Sequence, residues 1–262
     1  MASAPFPSSF TLPANALMAD AAVVYDPSTG RLLYQKNADI SLPIASITKL
    51  LSADMVLSES KPTQQVVISE ADAAQINDPG DYGIVAGQLW KIGELVRYAL
   101  FASSNNAMLA AATAATQGSD TVSDMNRFAQ SLGLTESRFY DPTGLDVSAT
   151  VSGGYASARD VAMLAADFYR KYPAYFETSM NPKGSFGPLG DTFSAEPTAA
   201  PIQNIPGVLA AKTGYTDLAQ GTMVAVFDVS LGHSLVAVVL HSTEQGRFQD
   251  IRTLIAAARG AQ

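Results

Sequence analysis

The sequence contains no cysteine, which removes disulfide cross-links, thiolate nucleophiles and cysteine-bound metal from consideration. It holds only two histidines, His233 and His241, so a histidine-rich metal centre is not expected, and no metal or other cofactor is assigned. No apolar run reaches the roughly 20 residues of a membrane-spanning helix. Cations are scarce: 16 Lys and Arg stand against 24 Asp and Glu, for a formal charge of −8 and a pI near 4.7. That balance argues against nucleic acid or an anionic membrane as partner. The first residues, Met1-Ala2-Ser3-Ala4-Pro5-Phe6-Pro7, lack the basic start and apolar centre of a signal peptide. The chain reads either as cytosolic or as the mature form of an exported protein behind a starting Met. No internal repeat and no flexible interdomain linker is visible.

What is plentiful is apolar material, 47% of 262 residues with mean hydropathy +0.11, enough for a full core. Residues 1–18, rich in Ala, Pro and Ser, read as an extended arm. Ala21–Asp26 and Leu32–Gln35 read as a hairpin around the turn residues Pro27-Ser28-Thr29-Gly30. A helix is expected from near Ser46 to about Glu59, and a short strand at Val66–Ile68. Asn77-Asp78-Pro79-Gly80-Asp81 has the composition of a loop. Helical spacing then runs from Gln88 to near Ala102, from Asn105 to Thr116, from Asp120 to Leu132 and from Ser157 to Arg170. Residues 181–206, rich in Pro and Gly, read as a long surface loop. The period then changes: Val208–Lys212, Thr222–Val229 and Leu235–His241 read as strands, and Arg247–Arg259 as a closing helix. Strands at both ends with helices between them predict an α+β fold, an antiparallel sheet flanked by helices. Trp90, His233 and His241 read as structural residues.

Three short stretches carry chemistry. In Leu42-Pro43-Ile44-Ala45-Ser46-Ile47-Thr48-Lys49-Leu50-Leu51, Pro43 precedes a helix whose apolar side is Ile47, Leu50, Leu51 and Met55. Ser46 and Lys49 then stand one turn apart on the same side. The free N–H groups at the helix start favour negative charge developing on Ser46. A lysine desolvated beside that positive end has its pKa lowered and can act as a base near neutral pH. Taken alone, the pair reads first as an N-cap serine followed by a surface lysine. The second stretch, Ser103-Ser104-Asn105, lies between two expected helices, and the third, Lys212-Thr213-Gly214, ends an expected strand.

Ser-x-x-Lys, Ser-x-Asn and Lys-Thr-Gly, in that order and on those elements, resemble the motif set of penicillin-binding proteins and serine β-lactamases. Ile44–Leu50, Ser103–Ala107, Gly144-Leu145-Asp146, Tyr155–Asp160 and Gly207–Thr216 resemble more closely the low-molecular-mass D-alanyl-D-alanine carboxypeptidases, over about residues 20 to 258. The resemblance implies a single penicillin-binding D,D-peptidase domain over 19–262, with an all-helical lobe at about 60–160 inserted into the sheet lobe. It implies removal of the terminal D-alanine from peptidoglycan stem peptides, β-lactams as covalent inhibitors, and an extracytoplasmic location after loss of a signal peptide. No membrane contact is expected of these residues.

In that scheme Ser46 is the nucleophile and Lys49 its base, while Ser103 passes the proton to the departing amine. Asn105 holds Lys49 and binds the substrate amide. The backbone N–H groups of Ser46 and Tyr215 form the implied oxyanion hole. Lys212, Thr213 and Gly214 present a strand edge and positive charge to the substrate, and Arg247 suits its terminal carboxylate; Arg247 reads equally as a solvated residue at a helix start. Asn106 stands where that family usually has Asp. Three rivals stay open: a D,D-endopeptidase, a class A-like β-lactamase, and a non-catalytic wall-binding module. Glu177-Thr178-Ser179-Met180-Asn181 matches a β-lactamase Glu-x-x-x-Asn string, but lies too near Lys212 for that role.

Overall fold

The computed structural model describes residues 8–74, 81–117, 119–230 and 232–261. Of the loop expected at Asn77–Asp81, all but Asp81 lies outside them. Both ends of the chain contribute to one five-stranded antiparallel sheet. Its strands are β1 (Ala21–Asp26), β2 (Arg31–Lys36), β3 (Val208–Thr216), β4 (Gln220–Ser230) and β5 (His233–Ser242). Their spatial order is β3-β4-β5-β1-β2. The junction of the two ends is β1 on β5, with Ala21 opposite Leu240 and Tyr25 opposite Val236.

Alternation along these strands sends successive side chains to opposite faces. Ala22, Val24, Ala225, Phe227 and Val239 meet Ile251, Leu254, Ile255 and Ala258 of the closing helix. Val23, Val224, Val226 and Val238 face the other way, into the larger core. At the heart of that core lies α1 (Thr48–Glu59), buried on every side from Thr48 to Leu57. It is flanked by α2 (Ile92–Phe101), α3 (Asn105–Thr116), α4 (Thr121–Ser131) and α5 (Ala158–Lys171). Ser157 caps α5 by accepting the Asp160 N–H, and Arg170 and Lys171 sit in its last turn, where the helix dipole favours cations. The last helix is α6 (Gly246–Gly260). Among the described residues no helix is long and apolar enough to cross a membrane.

The described part of the N-terminal arm is tied down: Phe10 donates its N–H to the Leu33 carbonyl and stacks on Tyr34, and Leu17 is buried. Three expectations need correction. Leu89–Lys91 is a strand paired with Gln65–Val67, so α2 starts only at Ile92. Ser46 lies in a 3-10 turn, Ala45–Ile47, and the α-helix proper begins at Thr48. The 181–206 segment is not simply a surface loop: Gly184–Phe186 pairs with Phe193–Ala195, and Phe186, Ala199 and Ile202 are buried.

Candidate active site

Ser46 is delivered by a strained backbone. Ala45 has φ +47, a left-handed conformation that costs a residue with a Cβ about 1–2 kcal/mol. Its carbonyl packs on Gly144, itself at φ +84, where an added Cβ would stand 2.0 Å from the Ala45 oxygen. A second close approach lies on the sheet side. A Cβ on Gly214 would stand 2.9 Å from the Ile44 oxygen and 3.1 Å from the Ser46 nitrogen. Glycine at 214 therefore lets the end of β3 press against the backbone that carries the serine.

Lys49, fully buried, donates from Nζ to Ser46 Oγ at 2.8 Å, Asn105 Oδ1 at 2.7 Å and the Thr143 carbonyl at 2.8 Å. Across the cleft, Lys212 Nζ lies 2.8 Å from Ser103 Oγ and 2.7 Å from the Thr213 carbonyl. Burial drives the pKa of Lys212 far down, and the charges of Lys49 and Arg247 push it the same way. Ser103 sits at φ +62, a second strained residue beside the chemistry. Arg247 is buried against the Phe248 ring, its guanidinium carbon 4.9 Å from the centroid. Nη1 donates to the Gly214 carbonyl at 2.6 Å, while Nε is buried with no hydrogen-bond partner. Desolvation lowers its pKa.

These groups surround one cleft of about 590 Å³, lined by Ser46, Ser103, Asn105, Thr213, Tyr215 and Arg247. Lys49, Lys212 and Gly214 lie directly behind them, so all nine residues singled out from the sequence come together. The opposite wall includes Tyr82 and the segment from Ser194 to Thr198. As the edge strand of the sheet, β3 leaves one side unpaired by any other strand of it. A larger hollow of about 850 Å³, between α5 and the turns of the two sheet hairpins, contains none of these residues. Glu177 is away from the cleft, exposed and accepting the Tyr169 hydroxyl at 2.8 Å. Trp90 is buried with Nε1 bonded to Gln88, while His233 and His241 pair with Asp26 and Asp20. Sequence reasoning missed Thr143 and the Asp141 carboxylate that holds its loop by accepting from the Thr143 and Gly144 N–H groups. Asp146, quoted from the sequence only as part of the resemblance, accepts the Thr216 hydroxyl at 3.0 Å just beyond Tyr215. The turn chemistry of Asp141-Pro142-Thr143-Gly144 was the only local signal for Asp141 and Thr143.

A serine–lysine pair at a helix start, facing a sheet edge across a second serine–lysine pair, is the arrangement of the penicillin-binding D,D-peptidase fold. More narrowly, the chain belongs to the family described as D-alanyl-D-alanine carboxypeptidase, which matches residues 8–244. A D-alanyl-D-alanine endopeptidase of Pseudomonas aeruginosa is 31% identical over 64% of this chain and 52% of the relative. The D-alanyl-D-alanine carboxypeptidase DacF of Bacillus subtilis is 28% identical over 79% of this chain and 53% of its own. The chain thus spans about half the length of these two relatives. Among solved structures, penicillin-binding protein D2 of Listeria monocytogenes in its ampicillin-bound form is similar at 26% identity and TM-score 0.81, covering 94% of this chain and 99% of that one.

Proposed function

We propose that the protein is a serine D,D-carboxypeptidase that removes the terminal D-alanine from peptidoglycan stem peptides through an acyl-enzyme on Ser46. The observation that carries this reading is the placement of Lys49 Nζ 2.8 Å from Ser46 Oγ and Lys212 Nζ 2.8 Å from Ser103 Oγ in one cleft. Ser46 Oγ attacks the carbonyl carbon between the two D-alanines, and its proton passes to neutral Lys49. The resulting oxyanion is held by the N–H groups of Ser46 and Tyr215, which the Gly214 contact brings close. As the C–N bond breaks, Ser103 gives its proton to the departing amine and is reprotonated from the adjacent lysines. Water then hydrolyses the ester. Asn105 orients Lys49 and binds the substrate amide, and β3 takes the substrate backbone as an added strand.

The departing D-alanine carries a carboxylate. Arg247, with a buried and unpaired Nε, joins Thr213 and Lys212 in meeting it. On this reading residues 19–262 act as one peptidase domain, with the helices of about 60–160 forming the wall opposite β3. A peptidoglycan substrate implies, on the same reading, a location outside the cytoplasmic membrane.

A D,D-endopeptidase is the second reading, favoured by the 31% identical Pseudomonas aeruginosa relative. Incubation with a D-Ala-D-Ala pentapeptide and with a cross-linked dimer, followed by mass spectrometry, separates the two. Loss of one alanine from the pentapeptide by the parent, abolished in Ser46→Ala, is the expected result. Cleavage of the dimer alone favours the endopeptidase, and turnover that survives Ser46→Ala overturns the assignment.

A further inference from the structure

Asp81 had no place in the motif pattern, yet its carboxylate touches three consecutive residues, Ser104 and Asn105 of the second motif and Asn106 just after it. Oδ1 accepts the Ser104 hydroxyl at 2.7 Å and the Asn106 N–H at 2.8 Å, and Oδ2 faces Asn105 Nδ2 at 3.4 Å. The group is buried at the start of α3, where Ser104 in turn accepts the Ala107 N–H. Asn106 supplies no charge there: its Nδ2 donates to the Ala73 carbonyl and its Oδ1 is buried without a partner. The negative charge suited to this helix start therefore comes from a different segment.

We propose that Asp81 is a positioning residue for the acylating pair: by accepting from Asn105 Nδ2 it keeps Asn105 Oδ1, rather than the amide N–H, facing Lys49. An amide side chain has one accepting and one donating end, so fixing one end fixes the other. With Oδ1 turned to it, Lys49 uses N–H bonds for Asn105 and Thr143 and leaves its lone pair for the Ser46 proton. Were the amide reversed, Asn105 would donate to Lys49 and compete with Ser46 for that lone pair.

The inference rests on the proposed roles of Ser46 and Lys49, and two substitutions separate positioning from simple helix capping. Asp81→Asn keeps an oxygen for Ser104 and Asn106 but sets an NH2 group against Asn105 Nδ2, which forces the Asn105 amide over. Asp81→Ala removes every contact and leaves Lys49 as the partner that orients Asn105. Both remove the same charge, so the effect of that charge on Lys49 cancels between them. The other charged groups beside Lys49, Lys212 on β3 and Arg247 on α6 beyond it, are unchanged in either variant.

The test is the rate of Ser46 acylation by benzylpenicillin, followed by intact mass from about pH 5 to about pH 10, with thermal melting of each variant. Asp81→Asn should acylate roughly ten- to a hundredfold more slowly than Asp81→Ala. The acid limb of its rate profile should lie at lower pH than that of Asp81→Ala, although Asp81→Ala melts at the lower temperature. A helix cap alone orders both losses the same way, Asp81→Ala worse, with the acid limbs of the two variants coinciding; that result overturns the proposal. Should Asp81→Ala fail to fold, Asp81→Ser takes its place as the neutral variant without an amide to turn Asn105, and the same comparison with Asp81→Asn decides. A parent that forms no adduct overturns the functional reading instead.

Discussion

Two lysines and an arginine are buried within one cleft of an acidic protein, and each survives there by a different means. Lys49 Nζ lies within hydrogen-bond distance of three oxygens, and Arg247 leans on an aromatic face and a carbonyl. Burial pushes the Lys212 pKa down, and its Nζ is met by the Ser103 hydroxyl and the Thr213 carbonyl. The same physics acts in reverse on Asp54, fully buried in the same helix as Lys49 and 3.2 Å from Lys171. Burial raises its pKa from 3.8 to about 6 despite that lysine. An acid whose folded pKa exceeds its unfolded value binds its proton more tightly when folded. Its contribution is therefore fully present below about pH 3.8 and is lost as pH rises through about 6. The linkage amounts to about 3 kcal/mol. Denaturant unfolding of the parent and of Asp54→Asn, both measured at acid and at neutral pH, checks this. The stability of the parent relative to the variant should fall by roughly that amount on going from acid to neutral pH. A difference that stays constant with pH contradicts it.

At the scale of elements, the nucleophile depends on a contact between a turn and a loop. Gly144→Ala would drive a Cβ into the Ala45 carbonyl and against Thr48 Oγ1, in a backbone conformation that already disfavours any side chain. The expected cost is about 2–4 kcal/mol in stability with a steep loss of acylation. Gly30→Ala, at φ +69 with nothing within 4 Å, serves as the control. It should cost only about 1–2 kcal/mol and leave acylation unchanged. Equal melting temperatures and equal acylation in the two variants would show that the Ala45 contact is not needed. The same elements show what a sequence can carry. The helix Asn105–Thr116 and the strand Ala21–Asp26 were legible to the residue, because caps, turn residues and period all agreed. Leu89–Lys91 was not, since its apolar residues fit a helix until pairing with Gln65–Val67 claimed them. Phe186 gave no periodic signal, yet its ring packs 5.0 Å from that of Phe101 and draws its segment into the core. Asp81 was invisible for a like reason: its partners lie more than twenty residues on, and no local pattern marks a carboxylate that serves a distant loop.

On the scale of the whole molecule, the sheet from the two chain ends and the helices between them meet along the cleft. Ser46 and Lys49 come from the buried α1 side, Ser103 and Asn105 from the α2–α3 junction, and Lys212 from edge strand β3. That division bears on how the protein should handle penicillin. A β-lactam resembles an acyl-D-Ala-D-Ala segment, so Ser46 should open its ring with the same proton transfers and oxyanion contacts. The leaving nitrogen stays tethered to the acyl group and occupies the side from which water must approach. Clearing the ester then needs a base placed for water. Glu177 is outside the cleft, and Glu196, the one carboxylate among the described residues lining it, is exposed on the 194–198 wall. The adduct should therefore accumulate, adding one drug mass per chain and lasting minutes or longer, as followed by intact mass with stoichiometric benzylpenicillin. Rapid return to the free mass, with many equivalents of penicillin destroyed, would instead identify a β-lactamase. If Glu196→Gln then restored a lasting adduct, Glu196 would be the base that activates the water.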